Sequence, residues 1–243
     1  MTDSLPEPAP QVATEPMPGP VTEPATKSAA EPAFVTATRA SYDAIATAYA
    51  ERYAGVHEAE PLGPAILDAF AALVHAAGGG PVVEVGSGPG EVTAMLHARG
   101  LDVHGVDLSP VMVAMARRDH PQVRFEEGSM TALDLGDESL GGLVAWYSLI
   151  HIAPEAVPDV LAGFHRVLAP GGLLLLAFQV GDEPQRYTEG FGHSIDLDFH
   201  RLRPERLERQ LGEAGFTVQA RMEREANGTE PTPQAYVLAR KGR

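Results

Sequence analysis

Gly86, Ser87, Gly88, Pro89 and Gly90 follow directly on the β-branched run Val82-Val83-Glu84-Val85, and Glu91 opens what reads as a helix. The chemistry this spacing offers is binding rather than bond making. Glycines let the backbone turn tightly and let a ligand approach with no Cβ in the way. The helix then aims its first turn back at the loop. A second apolar run, Val103-His104-Gly105-Val106-Asp107, ends in a carboxylate. An acid at a strand tip about 20 residues after the first glycines is placed to accept both hydroxyls of a ribose. A dinucleotide fingerprint would put its third glycine at position 91, where this chain has Glu91, and a carboxylate at a helix mouth repels a pyrophosphate. A phosphate-binding GxxxxGK[ST] loop needs a lysine, and the chain has only Lys27 and Lys241. The loop therefore suits a nucleoside without phosphates.

Proton transfer would fall to histidine, which titrates in the useful range. His151 comes just past the predicted strand Gly142–Trp146, and open α/β sheets bind ligands beyond the carboxyl ends of their strands. His193 and His200 lie in 181–203, the least regular part of the chain. These three are the candidate bases. His57, His75, His97, His104, His120 and His165 fall on predicted elements away from the mouth. His193, Asp196, Asp198 and His200 include ligand types for a divalent cation, but we read them as the polarity of a lid and assign no metal.

The elements that must position these groups alternate as β and α. A helix over Phe34 to Tyr53 puts Tyr42, Ile45, Tyr49 and Tyr53 on roughly one face. A second, Leu62 to Ala77, turns Leu62, Ile66, Phe70 and Leu73/Val74 inward. Strands follow at 82–85, 103–107, 123–127, 142–146 and 173–178. Helices are predicted over 154–168 and 204–214, and a terminal hairpin pairs 216–222 with 235–239, its last strand antiparallel. The fold class is α/β: a Rossmann-like, doubly wound, seven-stranded, mostly parallel sheet with an antiparallel last strand, helices on both faces and an N-terminal helical cover.

The stretch EVGSGPG resembles the first motif of the class I S-adenosylmethionine-dependent methyltransferases, usually written [ED]xGxGxG, and GVDLSPVMVAMA is similar to their second. YDAIATAYAERY looks like the short helix that covers the cofactor in many small-molecule members, and FHRVLAPGGLLLLAF resembles the late structural motif. The resemblance spans 36–241. It implies S-adenosylmethionine as cofactor, a small-molecule acceptor methylated on oxygen or nitrogen by in-line displacement, and cofactor contacts from Tyr42, Glu84, Gly86, Ser87, Gly88, Asp107, Leu108, Met112, Ser129, Met130 and Tyr147. Tyr42 matches a residue that often reaches the methionyl carboxylate. Ser129 stands where the family usually carries an acid for the adenine amino group; a hydroxyl accepts that bond without charge assistance. Tyr42, Trp146 or Tyr147 could face the sulfonium. A non-methylating or cofactor-binding protein on the same fold is the alternative.

The chain of 243 residues carries a net charge of −15, and its arginines at 201–224 are interleaved with glutamates. No basic face is left for nucleic acid or an anionic membrane. There is no cysteine, which fits a reducing compartment. The longest apolar run, Leu173 to Phe178, is far short of the roughly 18 residues of a membrane span, and MTDSLPEPAP lacks the regions of a signal peptide. We read a cytoplasmic monomer or homodimer. Residues 1–33 are a different material: Glu-Pro recurs from Glu7, Glu15, Glu23 and Glu31 with no aromatic residue, a composition that cannot bury enough to fold. They are expected to form a disordered tail, with the methyltransferase domain over 34–243 and its lid about 181–203.

Overall fold

The computed structural model describes residues 31–55, 61–228 and 230–242. The expected tail lies outside the described residues up to position 30, as does His57. The chain divides there into two units, and the second begins at Glu31. Its first helix, α1 (Ala33–Tyr53), starts one residue inside the segment read as tail. Glu31 accepts two hydrogen bonds from the Arg39 guanidinium, at 2.6 and 2.7 Å. The boundary shifts because α1 is rich in alanine, a strong helix former that carries the helix back towards Pro32.

Seven strands form one sheet. They are β1 (Val82–Val85), β2 (Val103–Asp107), β3 (Arg124–Glu127), β4 (Leu140–Trp146), β5 (Leu168–Gln179), β8 (Phe216–Arg224) and β9 (Gln234–Lys241), in the order β3-β2-β1-β4-β5-β9-β8. The first five pair in parallel, and only β9, between β5 and β8, runs against the rest. The chain winds outward from β1 through β2 to β3, then returns to add β4 on the other side. That reversal opens a crevice beyond the carboxyl ends of β1 and β4.

All four residues of β1 are buried, as a strand covered on both faces requires. In β5 successive leucines serve opposite faces. Leu173 and Leu175 pack with Leu67, Phe70 and Val74 of α2 (Leu62–Ala76) and with Leu96 of α3 (Glu91–Ala98). Leu174 and Leu176 pack with Val160 and Phe164 of α5 (Val157–Val167) and with Leu207 and Leu211 of α6 (Pro204–Glu213). The inward stripe of α2 is the expected one with an addition: Phe70 and Val74 are buried and Leu62 and Ile66 pack partly covered, but Leu67 is buried too and Leu73 is exposed. Gly63 is buried on the same stripe as Leu67, and its missing side chain hid that addition. The remaining helix, α4 (Pro110–Asp119), is capped by Ser109, whose hydroxyl accepts from the Met112 amide.

The stretch expected to be irregular is a β-hairpin. Strand β6 (Gln185–Gly190) pairs with β7 (His193–Phe199) through a two-residue turn, Phe191-Gly192, in which both residues have positive φ. That conformation matches the right-handed twist of the flanking strands. The alternation was obscured because the hairpin stands apart from the main sheet, largely exposed, with a register shift between Tyr187 and Glu189. Helix α1 packs against β7, where the Ser41 hydroxyl accepts from the Asp196 amide at 2.8 Å. On its other side, Arg39 donates to the Leu108 carbonyl and the Ser109 hydroxyl donates to Asp43. The cap is thus tied to both the hairpin and the turn after β2. No helix among the described residues is long and apolar enough to cross a membrane.

Candidate active site

A cavity opens at the crevice, where open α/β sheets take their ligands. The carboxyl ends of β1, β2, β3 and β4 supply Gly86 and Gly88, Asp107 and Leu108, Gly128 to Met130, and Trp146 to Ser148; α4 adds Met112. Helix α1 closes it with Phe34, Val35, Thr38, Tyr42 and Tyr49, and the segment after β4 adds His151 and Ile152.

Two glycines explain the loop. Gly86 sits at φ +73, and a Cβ there would come 2.3 Å from the Ser148 Cβ. Gly88 sits at φ +52 with nothing within 4 Å of a Cβ position, so its bare face borders open space. Its amide donates to Asp107 at 2.7 Å, and the Ser109 amide donates to the other carboxylate oxygen at 2.8 Å. Burial pushes the Asp107 pKa up while these amide bonds hold it down. The Leu108 amide contributes as well, and a carboxylate, with about four lone-pair sites, still has acceptor capacity beyond these amides. A carboxylate with spare acceptors beside an open glycine face is what a nucleoside with a free ribose diol needs.

Glu84 and Ser87 do not line the cavity. Glu84 is buried beneath the loop and accepts from the Thr93 hydroxyl of α3. Burial raises its pKa to about 8. Ser87 is buried as well. Neither faces the cavity: Glu84 turns to Thr93, and the Ser87 hydroxyl lies against Gly105 of β2. Ser129 does line the cavity, but its hydroxyl accepts from the Thr131 amide at 3.2 Å and contacts the Thr131 hydroxyl at 2.7 Å.

The catalytic candidates separate. His151 lies on a single 3-10 turn (Leu149–His151), with Nδ1 3.1 Å from the Asp198 carbonyl and Nε2 2.8 Å from the Tyr42 hydroxyl. A carbonyl only accepts, so Nδ1 carries the proton; Nε2 of the neutral ring then accepts from Tyr42. Burial lowers the His151 pKa to about 4 and raises that of Tyr42. Tyr42 has one proton, already committed to His151, so reaching a carboxylate would require this pair to open. His193 is exposed on β7, and His200 lines a different cavity; neither borders this one. The hairpin turns both away because its contribution here is the Asp198 carbonyl, a backbone atom. Asp196 and Asp198 face Arg186 instead of a cation site.

Sequence reasoning missed Val35, Thr38 and Tyr49 as cavity residues. Val35 and Tyr49 lie seven residues either side of Tyr42 and Thr38 four before it, so all four share its helix face. Tyr49 meets Tyr42 edge-on at 5.5 Å between centroids. Trp146 and Tyr147 add an edge-on pair at 5.9 Å, with Tyr147 held at φ +51 and its hydroxyl 3.3 Å from that of Tyr236.

Comparison with known proteins fits this geometry. Residues 82–172 match the family described as a methyltransferase domain. Over this stretch the chain is similar to class I S-adenosylmethionine-dependent methyltransferases. It is 35% identical over 92 residues to a demethylmenaquinone methyltransferase of Chlorobaculum parvum, covering 37% of each chain. It is 33% identical over 118 residues to an uncharacterized methyltransferase of Mycobacterium bovis, covering 48% of this chain and 47% of the relative. The match thus spans less than half the length of either relative. Among solved structures, magnesium protoporphyrin IX methyltransferase of Synechocystis with bound S-adenosylmethionine shares the fold, with a TM-score of 0.65 at 17% identity over 88% of this chain and all of that one.

Proposed function

We propose that the chain transfers a methyl group from S-adenosylmethionine to an oxygen or nitrogen of a small-molecule acceptor. The observation that carries this reading is one cavity that joins the open Gly88 face and Asp107 to the Tyr42–His151 pair. The cofactor supplies a methyl already activated on a sulfonium, so the chain has to align, enclose and, for a hydroxyl acceptor, remove a proton. Asp107 would hold the ribose hydroxyls, with Gly86, Gly88, Leu108, Met112, Ser129 and Met130 around the nucleoside. Tyr49, Trp146 and Tyr147 present aromatic faces suited to a cation. His151 Nε2 receives the acceptor's proton, either directly once Tyr42 turns aside or through the Tyr42 hydroxyl as that group passes its own proton on. The Asp198 carbonyl holds Nδ1–H and keeps the accepting nitrogen turned towards the cavity.

The engagement of Nε2 by Tyr42 also supports a second mechanism, in which an amine or an already ionised acceptor reacts by alignment alone. The net charge of −15 supports a partner set without nucleic acid. Calorimetry with S-adenosylhomocysteine tests the binding half of the proposal, and a mass-spectrometric screen of candidate acceptors for a gain of one methyl tests the transfer. Tight binding without turnover on any acceptor would favour a binding protein on this fold.

A further inference from the structure

A second cavity lies at the root of the β6–β7 hairpin, where the chain leaves β5 and enters α6. It shares no lining residue with the first. Its wall carries His200, Arg201, Arg203 and Arg206 against a single acid, Asp182. Other arginines are partnered by carboxylates, as Arg99 with Asp68, Arg166 with Asp137 and Arg224 with Glu230, or by backbone carbonyls, as Arg117 with Phe125 and Arg240 with Gly171. Here only Arg203 meets a carboxylate, by its bond to Asp182. Arg201 donates to the neutral Gln185 amide at 3.3 Å, and its Nε is buried with no hydrogen-bond partner in the structure. Arg206 makes no ion pair with any described residue. Two guanidiniums thus face one concavity without a counter-charge, in a chain whose acidic residues outnumber its lysines and arginines by 33 to 18. Leaving a buried donor unsatisfied is costly, and a guanidinium fork matches carboxylate and phosphate oxygens. Val157, Leu202 and Leu207 supply an apolar floor beside these charges.

We propose that this cavity binds a small organic anion, a carboxylate or phosphate ester with an apolar body, held by Arg201 and Arg206. The site stands behind the wall of the first cavity. The His200 amide donates to the Ile150 carbonyl at 2.7 Å, next to His151, and Asp198, two residues before His200, holds the His151 ring. The anion can therefore come from the acidic arm of an acceptor or from a separate effector of the same chemistry.

The test is calorimetric titration of the full chain with phenyl phosphate and benzoate, with benzamide as the uncharged control and no methyl donor present. Saturable binding of the two acids but not of benzamide is expected, weakened about tenfold or more in Arg206→Gln and in Arg201→Gln. S-adenosylhomocysteine affinity should be unchanged in Arg206→Gln, so this result is independent of the methyl-transfer reading. The absence of saturable binding, or equal affinity in wild type and Arg206→Gln, would overturn the proposal. Arg201 packs against Gly181, so Arg206→Gln, on the exposed face of α6, is the deciding variant if Arg201→Gln loses its fold. With an acceptor in hand, phenyl phosphate that raises KM alone assigns the site to the acceptor's arm. A change in kcat assigns it to an effector.

Discussion

Glu84 beneath the glycine loop and His151 beneath the cap are both titratable groups that burial drives to the neutral form, yet they stand in different kinds of region. Glu84 lies under backbone: its side chain accepts from the Thr93 hydroxyl nine residues on, and β1 is flanked by β2 and β4. His151 is held by side-chain and backbone atoms from elements far apart, Tyr42 on α1 and Asp198 on β7. The first region is assembled by elements consecutive in the chain: β1, the glycine turn, α3 and the tip of β2. The second exists only once cap, hairpin and sheet have docked. A nucleoside site tolerates local construction because its donors are amides, whereas a base must be aimed by partners that fix its tautomer.

The largest expected effect breaks the second region alone. His151→Ala should lower turnover of a hydroxyl acceptor by something like 10²- to 10⁴-fold while S-adenosylhomocysteine affinity changes little. His193→Ala and His200→Ala, both outside the cavity, should leave the chemical step unchanged. Unaltered turnover in His151→Ala would leave a mechanism of alignment alone. The first region is broken by Asp107→Ala, which should weaken S-adenosylhomocysteine by roughly a hundredfold, since two charged hydrogen bonds are worth about 3 kcal/mol. Wild-type affinity by calorimetry would remove the nucleoside assignment.

Acidity sharpens the comparison. His151 has a folded pKa near 4, below its ordinary value of 6.5, so between those limits the unfolded chain binds more protons and stability falls as pH drops. Glu84 has a folded pKa near 8, above 4.5, so its contribution is present at low pH and is lost as pH rises through 8. Denaturant titrations from pH 4 to 8 should therefore show His151→Gln removing stability loss on the acid side and Glu84→Gln removing loss on the alkaline side. The same slope in both variants as in wild type would mean that neither group is shielded as the structure has it. Activity should likewise show no acid limb near 6.5, because the His151 ring stays neutral until about pH 4.

The smallest effect concerns the start of the chain. Removing residues 1–30 should leave thermal stability and cofactor affinity unchanged within error, and removal through Pro32 should cost little more, since the exposed Glu31–Arg39 pair is worth about 0–1 kcal/mol. Deletion through Thr38 takes Phe34, Val35 and Thr38 from the cavity wall and should weaken binding. A drop of several degrees on the shortest truncation would show that the Pro/Glu-rich segment packs on the domain.

Five parallel strands, the glycine turn and the acid at Asp107 were legible in the sequence because each is local. Short apolar or β-branched runs between turn signals, such as Val82–Val85 and Leu173 to Phe178, read as buried strands, and Gly86 and Asp107 follow at strand ends. What lay beyond reach depended on contacts across long stretches of sequence. Tyr42 and His151 are 109 residues apart, and nothing in either neighbourhood says that one proton is shared between them. The hairpin hid because its exposed strands lack the apolar alternation that marks a half-buried sheet. His200 and Arg206 came to line a second cavity, rather than the first, through the path of the chain between β7 and α6. Local sequence was enough for an α/β sheet with a glycine turn and an acid at neighbouring strand ends. The direction in which each histidine points was decided by tertiary packing, because a side chain's partners are chosen by the elements that dock around it.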